Sequence, residues 1–162
     1  MLALFWISVL VMLMFYFSGY LEQRRNPNQD LELVVADGGS MDVVLKRNRA
    51  GHYLARGLIN GMEVEFLVDT GATHVAIPGA LAERLGLRGG VPGTSHTAGG
   101  IVRSYRVQLD SVQLGVIRRR QVSASVVPDM PGEGVLLGMS FLRDLEIVQS
   151  GTTMTLRLPG RG

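Results

Sequence analysis

The sequence has no cysteine and a single tryptophan among its 162 residues. Without cysteine there is no disulfide framework, no thiolate zinc site, no iron–sulfur cluster and no cysteine nucleophile. Neither sign of charge dominates: 16 Lys and Arg stand against 14 Asp and Glu, a net charge of +2. The broad basic footprint of a nucleic-acid binder is therefore missing, and no nucleic-acid partner is expected. Only Arg118, Arg119 and Arg120 form a compact basic cluster, which reads as a solvated turn between strands. Internal repeats and low-complexity tracts are also lacking, which excludes solenoids and low-complexity scaffolds. The length is that of one domain with an appendage.

The hydrophobic residues that are present are unevenly spread. Residues 2 to 21 read LALFWISVLVMLMFYFSGYL, without a charge. As a helix this run extends about 30 Å, enough for the hydrocarbon core of a bilayer. Residues 1–21 are accordingly expected to be a single transmembrane anchor and the chain's membrane attachment. A cleaved signal peptide would begin with basic residues and end in a small-x-small site, and neither is found here. Tyr16 and Tyr20 suit the headgroup layer. Arg24 and Arg25 follow, and by the positive-inside tendency they favour a cytoplasmic C-terminal side, with Glu22 beside them. Residues 22–41 mix charge, Asn, Pro and Gly-Gly, which suits an extended tether; LELVV within it can pair as an edge strand. Residues 42–160 form the folded domain.

In that domain short runs rich in Val, Leu, Ile and Tyr alternate with glycine-containing breaks, the pattern of an all-β fold. In MEVEFLV, Met62, Val64 and Phe66 alternate with Glu63 and Glu65, as in a half-buried strand, and Ile59-Asn60-Gly61 supplies a hairpin turn before it. Two short helices are expected, over Ala80 to Leu85 and Ser140 to Asp144. Gly89-Gly90-Val91-Pro92-Gly93 lacks the Lys-Ser/Thr ending of a phosphate loop and reads as a flexible connection.

Three apolar residues, Phe66, Leu67 and Val68, deliver Asp69 into a turn of Thr70, Gly71, Ala72 and Thr73. An acid placed against apolar walls at a strand end suits acid–base chemistry, although an Asp making an ordinary Asx turn fits the triplet equally well. His52, His74 and His96 lack the helical i, i+4 spacing of a zinc motif, so no metal is assigned to them.

The segment Asp69-Thr70-Gly71-Ala72-Thr73 resembles the active-site motif of aspartic proteases of the retropepsin type. Gly51-His52-Tyr53, Ile59-Asn60-Gly61, Leu85-Gly86-Leu87, Thr97-Ala98-x-Gly100 and Leu136-Leu137-Gly138-Met139-Ser140-Phe141-Leu142 are similar, in the same order, to the bacterial membrane-anchored group of that family. The likeness covers about residues 43 to 158. It implies a closed β-barrel domain with one or two short helices and an aspartic endopeptidase acting on polypeptides without metal or cofactor. One D-T-G per chain further implies a homodimer in which Asp69 and its symmetry mate form the catalytic pair. Thr70, Gly71 and Ala72 would support the catalytic loop. Thr97, Ala98, Gly99 and Gly100 would form a substrate flap, and Leu136, Leu137 and Gly138 a strand behind the loop. Gly99 departs from the Asn that many relatives carry. Ala72 stands where pepsin-like enzymes often carry Ser, which suggests activity at milder pH. The likeness also implies an inner-membrane protein whose domain faces the periplasm, against the two arginines. Two other readings use the same residues: a dimeric peptide-binding module that no longer cleaves, and a structural membrane-associated dimer that recruits a partner.

Overall fold

The computed structural model describes residues 2–35, 41–97 and 99–159. The first element is α1 (Leu2–Arg25), of which Leu4–Arg25 is long and apolar enough to cross a membrane, with none of its apolar window buried against the rest of the chain. The helix does not stop at Leu21. Glu22, Gln23, Arg24 and Arg25 are good helix formers, the two arginines lie favourably at the negative end of the helix dipole, and Pro27 restricts the residue before it and ends the helix. The tether expected over 22–41 is thus helical in its first four residues. Glu32–Val35 forms β1, the edge strand that LELVV suggested. Residues 36–40 lie outside the described residues.

Two sheets follow. In the first, β1 pairs with β2 (Met41–Lys46), β2 with β11 (Thr153–Arg157), and β11 with β10 (Glu146–Ser150), all antiparallel. Alternation places Val43, Leu45, Met154 and Leu156 in the core. Asp42 falls out of this pattern: it is 4% exposed, and the Arg157 guanidinium donates to both of its carboxylate oxygens at 2.7 to 3.1 Å. Arg157→Leu leaves that buried carboxylate without its fork of donors. The expected loss is about 2 kcal/mol, read as a lower urea midpoint of the detergent-solubilised chain.

The second sheet comprises β3 (Leu54–Ile59), β4 (Met62–Val68), β5 (Val75–Pro78), β6 (Val91–Thr97), β7 (Gly100–Leu114), β8 (Ile117–Val127) and β9 (Val135–Leu137). Its order is β3-β4-β9-β5-β8-β7-β6, and β3 also pairs with β7, so six strands close into a ring and β6 is left as a flanking edge. The expected closed, all-β barrel is therefore present. Ile59 faces Met62 across Asn60 and Gly61, with φ of +51° and +85°, the two-residue turn that matches strand twist. Met62, expected inside, is exposed at this hairpin's mouth, and Val64, Phe66 and Val68 take the core positions.

Three local expectations change. Arg118 to Arg120 are not a turn: Gly115, at φ +57°, and Val116 make the turn between Leu114 and Ile117, and the arginines open β8, where Arg119 pairs with Asp144. Val91, Pro92 and Gly93 are not a loose connection but the start of β6, where an edge strand tolerates proline. The helices are α2 (Gly79–Arg84) and α3 (Met139–Leu142), each starting one residue before its expected span. Phe141 and Leu142 of α3 are fully buried with Phe66, Ile77 and Leu137, so the core lies directly beneath the strand end that carries Asp69.

Candidate active site

Parallel pairing with β9 fixes the end of β4, with Leu67 opposite Leu136 and Val68 opposite Leu137. The Val68 N–H donates to the Tyr53 carbonyl and the Asp69 N–H to the Leu137 carbonyl, at 2.9 and 3.2 Å. Beyond that point the chain turns. The Ala72 N–H donates back to the Asp69 carbonyl at 3.2 Å, and the Gly71 N–H donates to Asp69 Oδ1 at 2.9 Å. A Cβ on Gly71 would stand 3.2 Å from that same Oδ1, so glycine leaves the approach open.

The loop is held from behind by the chain following β9. Met139 N–H donates to the Ala72 carbonyl at 2.8 Å and Ser140 N–H to the Thr73 carbonyl at 3.0 Å. Ser140 Oγ in turn accepts from the Val75 N–H at 3.0 Å. At the crossing sits Gly138, where a Cβ would lie 2.3 Å from the His74 carbonyl oxygen and 2.6 Å from that of Ala72. Only a residue without a side chain fits there. Asp69 is half-exposed and Thr70 and Gly71 are exposed, so a carboxylate on a fixed loop opens toward solvent with no ion pair among the described residues.

Asp69 to Ala72 and Leu136 to Gly138 are thus brought together. The segment read as a flap is the tip of the β6–β7 hairpin: Thr97 faces Gly100, and the Thr97 hydroxyl donates to the Gly100 carbonyl at 2.9 Å. Gly100 takes φ +114°, a conformation open mainly to glycine, and Gly99 is exposed; Ala98 lies outside the described residues. No hydrogen bond joins this tip to the Asp69 loop among the described residues. The three histidines sit apart, His52 before β3, His74 before β5 and His96 within β6, the first and last exposed. Ser140, which the sequence reading placed only in the short helix behind the loop, adds a hydroxyl contact to Val75 that the sequence did not show. Clefts of about 410 and 370 Å³ lie beside the α2–β6 connection and beside Arg25, Arg56 and Arg84, and neither includes the Asp69 loop.

The gag-polyprotein putative aspartyl protease model matches residues 55–144. A curated protein of Sinorhizobium sp, described as an uncharacterized protein in the cobV 5′ region, is 33% identical over 123 residues, 74% of this chain. The chain spans 53% of that relative's length, about half. Among solved structures, a retropepsin-like aspartic protease from Rickettsia conorii is 25% identical with a TM-score of 0.64, over 80% of this chain and 96% of that one. EIAV protease, solved with the inhibitor HBY-793, is 24% identical with a TM-score of 0.52 over 62% of this chain and 93% of its own, a likeness of fold. The matched residues include the D-T-G turn, the barrel strand delivering it and the glycine behind it, and the chain belongs to this family of retropepsin-like aspartic proteases.

Proposed function

We propose that the chain is an aspartic endopeptidase in which Asp69 of two identical subunits forms the catalytic pair. The observation that carries this reading is the Gly71 N–H fixed on Asp69 Oδ1, on a loop whose two ends are pinned to β9 and α3 while the carboxylate stays open to solvent. A single acid on one barrel is half of a general acid–base device. A two-fold axis through this loop supplies the other half, and two carboxyls about 3 Å apart hold one proton between them. The ionised member takes a proton from a bound water as the water attacks the scissile carbonyl carbon. The protonated member donates to the carbonyl oxygen, giving a tetrahedral intermediate with no covalent link to the enzyme. Thr70, exposed beside Asp69, is assigned a hydrogen bond across the axis. Ala72 joins the loop to its support, and Leu136, Leu137 and Gly138 keep its shape. Thr97, Ala98, Gly99 and Gly100 are assigned to cover a polypeptide bound in extended form, their backbone groups pairing with it. No metal or cofactor enters this mechanism.

The domain is assigned to the periplasmic face of the inner membrane, with α1 as its single span. The structure gives Arg25 a local reason to be where it is, an ion pair with Glu65 at 2.9 Å, so its charge is not there only to set topology. The test is cleavage of unfolded casein by the full-length chain, stopped by a statine-type mimic of the tetrahedral intermediate. Complexes with casein but no cleavage at any pH would leave the peptide-binding module as the better reading. An alkaline-phosphatase fusion at the C-terminus is expected to be active; an inactive one places the domain in the cytoplasm.

A further inference from the structure

The junction between α1 and the barrel is a built structure rather than a flexible leash. Arg25 Nη2 and Asn26 Nδ2 hold the two carboxylate oxygens of Glu65 at 2.9 and 3.0 Å. Glu22, one turn earlier, reaches Arg56 at 3.4 Å, and Asn48 Nδ2 donates to the Arg25 carbonyl at 2.8 Å, capping the helix. Asn26 and Asn28 are only 2% and 3% exposed. The Asn28 amide is fully engaged: Nδ2 donates to the carbonyls of Lys46 and Leu54, and Oδ1 accepts from the Lys46 N–H, at 2.6 to 2.8 Å. Its own N–H donates to Asn26 Oδ1 at 2.9 Å. Two buried amides satisfied in this way fix the chain on leaving the helix, because any swing of α1 strands their donors and acceptors away from water.

The same strand that receives this junction carries the site. Arg56 and Glu65 are cross-strand partners on β3 and β4, and Asp69, the residue directly after β4, follows Glu65 by four residues. Four extended residues cover about 13 Å, and the helical step from Leu21, where the apolar run ends, to Arg25 covers about 6 Å. With the ion-paired side chains included, Asp69 is held on the order of 30 Å or less from the end of the apolar run, a span that an extended peptide crosses in about nine residues. From this geometry, and resting on the proteolytic reading above, we infer the substrate class: extended segments of other membrane-anchored proteins, cut within about a dozen residues of where they leave the bilayer. A rigid junction confines the site to a thin layer over the membrane. A substrate segment in that layer meets it at high effective concentration, and a segment displaced far from the surface does not.

The test uses the full-length chain in phospholipid vesicles together with single-span test proteins on the same face. Each carries one short sequence that the chain cuts in unfolded casein, set either about 8 or about 60 residues from its span. The near site is expected to be cut at least about tenfold faster than the far one. A long Gly-Ser insertion between Arg25 and Asn26 is expected to level the two rates while casein cleavage is retained. Because the chain has no cysteine, nitroxide labels on Leu21→Cys and Ser150→Cys report the junction independently of activity. A narrow distance distribution is expected in the parent chain and a broad one after the insertion. Equal cutting of near and far sites, or a broad distribution in the parent, overturns the inference. Failure to cut casein overturns the proteolytic reading instead, and the substrate class with it.

Discussion

Asp69→Asn is expected to lower cleavage of unfolded casein by at least about 10³-fold, because it removes the one titratable group the mechanism uses for proton transfer. The asparagine amide has nearly the carboxylate's shape, and its Oδ1 can still accept from the Gly71 N–H, so the loop and the fold are retained. Circular dichroism and the urea midpoint should be close to those of the parent. The more discriminating form is a titration of mixed subunits. If each site needs an acid from both subunits, an equal mixture that pairs at random keeps about a quarter of the parent's activity, the share of dimers with two intact chains. Activity falling only to about half would mean that each barrel works alone, and a site built across the two-fold axis would be lost.

Gly138→Ala is expected to be severely damaging. The added methyl would stand 2.3 and 2.6 Å from two carbonyl oxygens, and both belong to the backbone of the loop that presents Asp69. A flexible side chain could swing aside, but backbone held by the Met139 and Ser140 N–H groups cannot move without breaking those bonds. Overpacking of this kind usually costs about 1–3 kcal/mol, and with hydrogen bonds also lost the expected figure is about 3 kcal/mol or more, with cleavage lost even where the chain still folds. Gly134→Ala is the control. A Cβ there meets nothing within 4 Å, and its stability and activity should match the parent. Thermal unfolding of both variants in detergent separates a packing defect from a general intolerance of alanine.

The fold was legible wherever neighbours in sequence are also neighbours in space. The period-two pattern of MEVEFLV identified β4, and Asn60-Gly61 identified its hairpin, since both record contacts within a few residues. Of the hairpin from Val91 to Leu114, the second strand, an apolar run from Ile101 onward, and the glycines at the tip were visible. Its first strand was concealed because Gly89 to Gly93 has a loop's composition, and only the pairing of Pro92 with Tyr105 makes an edge strand of it. The arginine run misled for a similar reason: charge marks exposure, and an exposed strand face serves arginine as well as a turn does.

By itself, the sequence determined the apolar helix, the all-β character, the acid-bearing turn and the order of its motifs, because each is written in adjacent residues. Tertiary structure decided the rest. It set Gly138 against the carbonyls of Ala72 and His74, and Ser140 against Val75, contacts that join segments more than sixty residues apart and leave no local pattern. It also turned the segment after α1 from an apparent tether into a fixed junction. The groups that lock Asn26 and Asn28 come from β2, β3 and β4, and a run of polar residues looks the same in sequence whether it hydrogen-bonds to water or to a barrel.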